Sequence, residues 1–134
     1  MPNNFQRSTL RETIPVFLVN DIASTMEWYA RNLGFTGGAV PETPPHNFGI
    51  LRKDDVQIFL QQLNGYQKRD HYYEREGGVW SVYIQTSKVR ELFNELSEYP
   101  DVEILEPVSH QPYGQTEFVI RDPNGYTLAF AEPD

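Results

Sequence analysis

The sequence predicts an α+β protein that contains two copies of a β-α-β-β-β module. Two segments, around residues 13–35 and 79–99, carry the evidence, because in each a β-type apolar run leads into an amphipathic helix. Turn signals then separate further candidate strands. Two clear strands follow the first helix, and one weak and two clear strands follow the second. The repeated order is what indicates a duplication.

The length suits one compact domain, since 134 residues can bury about two-thirds of the surface that the unfolded chain exposes. We predict a single domain over residues 1–134. Module one is predicted at about 12–63, a connector at about 64–78, and module two at about 79–132. Residues 1–11 are polar and lack periodicity, so we expect them to form a loose arm.

The first predicted strand covers residues 13–19. Ile14, Val16 and Leu18 alternate along it and share one face, because successive strand residues point to opposite sides. Pro15 lies within this strand and has no N–H to donate to a neighbouring strand. The strand is therefore expected at a sheet edge or in a position exchanged with a second subunit.

The first helix has a start signal and a stop signal. Asp21 is the predicted N-cap, and Gly34 is the predicted left-handed residue after the last turn. A turn-rich stretch at 37–45 follows, and residues 48–52 and 56–61 are predicted to form a hairpin. The connector after them is rich in charged residues, which we interpret as a solvated face.

Module two repeats this plan. Residues 79–84 are the predicted strand, and Ser87 is the predicted N-cap of the second helix. The apolar stripe of that helix falls at i, i+3, i+4 and i+7, with Val89, Leu92, Phe93 and Leu96. A short strand near 102–105, a loop, and a hairpin of 117–121 with 126–132 complete the module.

Composition excludes several function classes. A formal net charge of −8 repels nucleic acid phosphates and anionic lipid heads, so neither is an expected partner. No apolar run reaches the ~20 residues that span a bilayer, and no signal-peptide pattern opens the chain. The chain has no cysteine, which excludes disulfides and thiolate metal sites. We expect a cytoplasmic protein.

Three segments give the chain a family resemblance. They read IPVFLVNDIASTMEWYARNLGF, FGILRKDDVQIFLQQ and QPYGQTEFVIRDPNGYTLAFAE. In this order they resemble the bleomycin resistance proteins, a metal-free branch of the glyoxalase/bleomycin resistance/extradiol dioxygenase superfamily, also called the vicinal oxygen chelate superfamily. The resemblance implies paired β-α-β-β-β modules and a homodimer with exchanged N-terminal strands. It also implies two ligand clefts at the dimer interface, lined by aromatic and acidic groups, and a role in antibiotic resistance.

The resemblance also shows which positions carry metal ligands in metal-using relatives. Ile14 stands where those relatives have a histidine, and Ala129 stands where they have a glutamate. The matching strand of module two offers only Ser81 nearby, and that of module one offers Gln57 among its amides. A divalent ion needs three or four N or O ligands. We therefore predict neither a metal nor any other cofactor.

The remaining chemical groups suggest no catalytic centre. The three histidines lie in predicted loops without metal-ligand spacing: His46, His71 and His110. The sequence has no serine in a nucleophile elbow and no glycine-rich phosphate loop. Glu117 and Glu132 could act as an acid or a base, although the sequence names no partner for either.

The ligand cleft that the resemblance implies has five candidate residues in this chain. Tyr113 follows Gln-Pro where the drug-binding relatives carry a stacking Trp, and Phe48 is the nearest match to the opposing aromatic residue. Trp80 and Tyr83 could add wall area, with core packing as an equal alternative for each. Four acidic residues could attract a cationic group, although plain solvent exposure is the simpler explanation for each: Glu42, Asp54, Asp55 and Glu117.

The function predicted from these residues is binding without chemical change. The expected ligand is a small, planar, cationic organic molecule, for which a bleomycin-type glycopeptide is the example that the resemblance supplies. One alternative is a metal-dependent isomerase, dioxygenase or thiol transferase of the same superfamily. Another is a metal-free enzyme that uses a carboxylate base. The missing metal ligands favour binding over catalysis.

Overall fold

A computed structural model describes residues 7–134, so the part of the predicted arm at residues 1–6 lies outside the described residues. Module one contains β1 (Val16–Val19), α1 (Ile22–Leu33), β2 (Thr36–Val40), β3 (Phe48–Lys53) and β4 (Val56–Gln62). Module two contains β5 (Val82–Gln85), α2 (Val89–Ser97), β6 (Glu103–Gln111), β7 (Gln115–Arg121) and β8 (Thr127–Pro133). A 3₁₀ turn at Tyr72–Glu74 lies in the connector.

Each module forms one four-stranded sheet. The strand order is β1-β4-β3-β2 in the first sheet and β5-β8-β7-β6 in the second. In both sheets the first strand pairs in parallel and the other pairs are antiparallel. The predicted α+β fold of two β-α-β-β-β modules is confirmed. No helix among residues 7–134 is long and apolar enough to cross a membrane.

The predicted ends of α1 are confirmed. The Asp21 carboxylate accepts a hydrogen bond from the Ala23 N–H at 3.1 Å, which satisfies one free donor of the first turn. Gly34 ends the helix with a φ of 75°, a conformation that glycine adopts without a Cβ clash.

The predicted cap of α2 is wrong. Lys88, not Ser87, occupies the N-cap position, and its side chain makes no capping hydrogen bond. The first-turn donor is satisfied from β8 instead, where the Glu132 Oε1 accepts from the Val89 N–H at 3.1 Å. A carboxylate at a helix N-terminus also interacts favourably with the helix dipole. The acceptor lies 43 residues from Val89 in sequence, so no local pattern could reveal it.

Two strands, β2 and β6, differ most from the sequence prediction. β2 overlaps the predicted turn-rich stretch at 37–45, and its pairing with β3 holds it extended. A Cβ at Gly37 would lie 1.7 Å from the Ile50 carbonyl oxygen, so the close approach of the two strands requires glycine there. β6 extends to Gln111, well beyond the predicted short strand. It tolerates Pro107 because it is an edge strand with register shifts at that point.

One buried core joins the two modules. The ring of Phe17 in β1 stacks on Tyr126 in module two, with centroids 4.0 Å apart. The Tyr29 hydroxyl of α1 donates to the Asp122 carboxylate at 2.6 Å. The Asp122 Oδ1 also accepts from the N–H groups of Asn124 and Tyr126, so the predicted turn between β7 and β8 links the modules.

The other face of each sheet is turned away from this core, and we call it the open face. Alternation along the strands shows which side chains lie on each face, because residues that pair across two strands point to the same side of the sheet. Phe48 and Phe59 lie on the open face of the first sheet. Glu117, Val119 and Ala129 lie on the open face of the second.

The N-terminal strand pairs within its own chain. β1 lies beside β4 at the edge of the first sheet, and the Pro15 carbonyl accepts from the Phe59 N–H at 3.0 Å. The edge position agrees with the constraint that Pro15 imposes. The homodimer and the exchange of this strand stay predictions.

Removal of the Glu132 cap should destabilise α2. We expect Glu132→Ala to lower the free energy of unfolding by about 1 kcal/mol, as loss of an N-cap acceptor does. Glu132→Gln keeps an acceptor oxygen and should cost less. Ser87→Ala is the control, and it should have no measurable effect in urea unfolding. A larger loss for Ser87→Ala than for Glu132→Ala would contradict the assigned cap.

Stability should decline at alkaline pH. Burial, together with the Asp122 carboxylate, raises the pKa of Tyr29 well above its ordinary value, and burial raises the pKa of Tyr126 to about 12. Such tyrosines contribute fully to the free energy of unfolding at pH values below about 10, which is the pKa of tyrosine in the unfolded chain. Their contribution falls as the pH rises further. The free energy of unfolding should therefore drop above pH 10, by about 1.4 kcal/mol per pH unit for each tyrosine.

Urea unfolding from pH 8 to pH 11.5 measures this decline. Tyr29→Phe should make the slope above pH 10 shallower by the contribution of one tyrosine. The exposed Tyr73 offers a matched control, because Tyr73→Phe removes the same hydroxyl from the protein surface. Equal slopes for wild type and Tyr29→Phe would contradict the prediction.

Candidate functional site

A buried carboxylate is the centre of the candidate site. Glu117 lies on the open face of the second sheet and is 5% exposed. The Tyr83 hydroxyl donates to its Oε2 at 2.6 Å, and the Tyr113 hydroxyl donates to its Oε1. Among residues 7–134, no lysine, arginine or histidine forms an ion pair with it. The site therefore offers a negative charge and spare acceptor capacity to a cation.

Small residues on β8 allow this arrangement. Tyr83 on β5 pairs with Ala129 on β8, and Glu117 on β7 pairs with Ala131. The tyrosine must therefore reach across β8 to meet the carboxylate. Alanines at these two positions leave the space for its ring. Ala129 is fully buried and stands where metal-using relatives are expected to carry a glutamate.

Tyr113 supplies an exposed ring. It lies in the turn between β6 and β7, where Gly114 has a φ of 84° and its N–H donates to the Gln111 carbonyl at 3.2 Å. The side chain is 54% exposed although its hydroxyl is held by Glu117. One ring face is thus available for stacking while the hydroxyl fixes the orientation of the side chain.

Both tyrosine hydroxyls remain protonated at neutral pH. Partial loss of solvent around each hydroxyl, followed by the hydrogen bond to Glu117, raises the pKa of Tyr83 and the pKa of Tyr113 above the ordinary value. Each therefore acts as a hydrogen-bond donor and adds no negative charge beside the carboxylate.

Trp80 extends this aromatic group. Its ring centroid lies 4.8 Å from that of Tyr83, with the planes tilted by 46°. The indole Nε1 is buried, and it has no hydrogen-bond partner in the part of the chain that the structure describes. A buried donor without an acceptor is uncommon in proteins and suggests that a bound molecule supplies one.

Phe48 is separate from these residues within the chain. It begins β3 on the open face of the first sheet and packs edge-to-face on Phe59, with centroids 5.1 Å apart. The structure thus brings together four of the five predicted site residues, namely Trp80, Tyr83, Tyr113 and Glu117.

Sequence reasoning missed Tyr72. The connector was interpreted as a solvated face, yet Tyr72 is 4% exposed and packs against Val119 and Ala129 on the open face of the second sheet. Its neighbours in sequence are charged, so no periodic pattern marked it. Two glycines at the end of the connector, Gly77 and Gly78, were the available signal for a chain that folds back.

The other acidic candidates lie elsewhere. Glu42 is on an exposed loop, and Asp54 and Asp55 lie in the turn between β3 and β4. That turn borders a groove of about 720 Å³ between the end of α1 and α2. The groove is lined by both acidic and basic side chains and contains none of the five predicted site residues.

The positions that could hold a metal provide no ligand set. Within residues 7–134, no three histidine, cysteine, aspartate or glutamate side chains lie close enough together to bind one ion. His46 contacts the Pro41 carbonyl, His71 contacts Glu74, and His110 contacts Asp134. The three contacts belong to different parts of the chain, so none of the histidines builds a shared site.

Comparison with known proteins establishes the family. The model of the Glyoxalase/Bleomycin resistance protein/Dioxygenase superfamily matches residues 14–130, and the chain belongs to this superfamily. No curated protein matches the sequence.

Solved structures agree with this fold. TioX from Micromonospora sp. ML1 is 17% identical, with a TM-score of 0.69 over 92% of this chain and 97% of its own. The bleomycin-binding protein of Streptomyces verticillus, complexed with copper(II)-bleomycin, is 19% identical, with a TM-score of 0.65 over 95% and 99%. A superfamily member from Sphaerobacter thermophilus is 21% identical, with a TM-score of 0.66 over 91% and 98%. At these identities the likeness shows the fold.

The hydrogen bonds from tyrosine to the buried Glu117 carboxylate should stabilise the folded protein. Tyr83→Phe keeps the ring and removes one hydrogen bond to a buried carboxylate, so we expect the free energy of unfolding to fall by about 1–2 kcal/mol. The control is Tyr99→Phe, because the Tyr99 hydroxyl donates to the exposed Glu95 at 2.8 Å. That variant should be nearly neutral in urea unfolding. Equal effects of the two variants would show that the carboxylate does not need Tyr83.

Proposed function

We propose that this protein binds a planar, cationic organic molecule on the open face of the second sheet and does not transform it. The observation that carries the proposal is the Glu117 carboxylate, which is buried among aromatic side chains and has no ion-pair partner in residues 7–134. A charge in such surroundings is stabilised when a cation binds beside it. Sequestration then lowers the free ligand concentration, which is how a binding protein confers antibiotic resistance.

Two chemical forces would hold the ligand. The exposed ring of Tyr113 offers a stacking surface, and an aromatic pair contributes about 0.5–1.5 kcal/mol beyond its burial. The ligand cation would lie over aromatic faces and beside Glu117, where both the ring quadrupole and the carboxylate attract it. The net charge of −8 adds a long-range attraction for cations.

The proposed assembly is a homodimer, and the proposed ligand class includes bleomycin-type glycopeptides. The open face of the first sheet carries Phe48 and Phe59, which would supply the opposite wall of the cleft in a second subunit. The structural likeness to a bleomycin-binding protein motivates bleomycin as the first ligand to test. The alanine at position 129 and the isoleucine at position 14 support binding without a metal.

Titration of the protein with metal-free bleomycin and with the planar cation proflavine tests this function. We expect Tyr113→Ala to weaken binding about tenfold, because stacking and ring burial are both lost. Tyr113→Phe and Tyr113→Trp keep a ring and should keep most of the affinity. Tyr73→Ala removes an exposed tyrosine of the connector and serves as the control. EDTA should not change the affinity.

The charge of Glu117 is tested separately. Glu117→Gln should weaken proflavine binding, and the difference from wild type should shrink as salt rises towards 1 M, since salt screens charge attraction beyond about 3 Å there. Calorimetry at two salt concentrations measures this. Unchanged proflavine affinity in both Tyr113→Ala and Glu117→Gln would place the ligand site elsewhere.

A further inference from the structure

A side chain of the connector occupies the open face beside Glu117. Tyr72 packs at the centre of the second sheet and belongs to a small apolar cluster. The other members are Val119, Ala129, Trp80, Tyr83 and Leu105. Val119 and Glu117 are two residues apart on the same face of β7, a separation of about 7 Å. The phenol ring of Tyr72 therefore lies next to the proposed cation site.

Polar contacts, not strand pairing, hold the connector in place. The Asp70 carboxylate accepts from the Tyr72 N–H at 3.0 Å and forms an ion pair with Arg121 at 2.8 Å. The Asp70 side chain of this pair is half exposed, so solvent screens part of the attraction. Glycines with positive φ stand near both ends of the connector, Gly65 at 79° and Gly77 and Gly78 at 83° and 84°. These are the conformations at which a segment can change direction.

We infer that Tyr72 is an internal occupant of an aromatic-ring subsite, and that the connector moves outward when the ring of a ligand takes its place. This inference rests on the proposed function and names its ligand class. The ring of the ligand would contact Val119 and Ala129 where Tyr72 now lies. The ligand cation would sit about 7 Å away beside Glu117.

That spacing selects an arylalkylamine, in which a short chain separates an aromatic ring from an ammonium group. The buried Trp80 N–H adds a requirement, because it has no acceptor among residues 7–134. An oxygen on the ring of the ligand would satisfy it. A phenol with an ethylammonium chain meets all three conditions, and tyramine is the simplest such probe. Tyrosol has the same ring and chain with a hydroxyl in place of the ammonium group.

Two adjacent glycines allow a matched test of the role of Tyr72. A Cβ at Gly78 would lie 2.4 Å from the ring atoms Cε1 and Cζ of Tyr72, so Gly78→Ala should expel the ring from the subsite. A Cβ at Gly77 would meet nothing within 4 Å. Because the two residues have nearly the same φ, Gly77→Ala imposes the same backbone strain and leaves Tyr72 undisturbed.

Calorimetric titration with tyramine and tyrosol measures the competition. We expect Gly78→Ala to bind both probes about tenfold more tightly than wild type, the gain expected when about one wild-type molecule in ten has an open connector. Gly77→Ala should bind them as wild type does. Wild type should prefer tyramine to tyrosol, and Glu117→Gln should lose that preference.

Hydrogen exchange on the wild-type protein provides the second readout. If tyramine replaces Tyr72, amides of residues 68–78 should exchange faster in its presence while those of β7 and β8 exchange more slowly. Should Gly78→Ala fail to fold, Tyr72→Ala replaces it, with Tyr73→Ala as its control. The exchange measurement on wild type needs neither variant.

Two results would overturn the inference. The first is equal affinity of Gly77→Ala and Gly78→Ala for tyrosol, and the second is slower exchange of residues 68–78 on addition of tyramine. In either case a preference for tyramine that depends on Glu117 would leave the proposed function intact. Equal affinity of the wild-type protein for tyramine and tyrosol would instead contradict the proposed cation site.

Discussion

The second module is organised around a carboxylate that is buried on the open face of its sheet. Burying a charge is costly unless hydrogen bonds or a counter-charge compensate for it. Glu117 has two phenolic donors and no cationic partner within residues 7–134, so its compensation is incomplete. The alanines of β8, the position of Tyr83 and the tight turn that holds Tyr113 all serve this arrangement. A cation is the group that would complete it.

The duplicated module explains why such a face exists. Each sheet uses one face for the shared core, and in residues 7–134 neither α1 nor α2 packs on the other face. Contacts such as Tyr29 with Asp122 and Phe17 with Tyr126 hold the modules together through the core side. The contacts that stabilise the fold therefore lie on the core face of each sheet, and the open face can carry polar and exposed aromatic groups. In the described part of the chain, Tyr72 and its few neighbours form a second apolar cluster on the open face of the second sheet.

Local signals predicted the fold, and non-local contacts escaped prediction. Asp21 and Gly34 mark the ends of α1 because caps act over one helical turn. Ser87 failed as a cap because Glu132, on a distant strand, supplies the acceptor. One cleft was predicted to contain Tyr83, Tyr113 and Glu117, and these residues are in contact in the structure. Tyr72 was hidden among charged residues. Phe48 was predicted beside them, and within one chain it lies on the other sheet.

A crystal structure of the protein with proflavine tests the central claim most directly. The cation should lie against the carboxylate of Glu117, with its ring stacked on Tyr113 on the open face of the second sheet. Its ring nitrogen and the Glu117 oxygens should be within about 4 Å, the distance of a direct ion pair. Proflavine bound in the groove between α1 and α2, with the open face unoccupied, would contradict the claim.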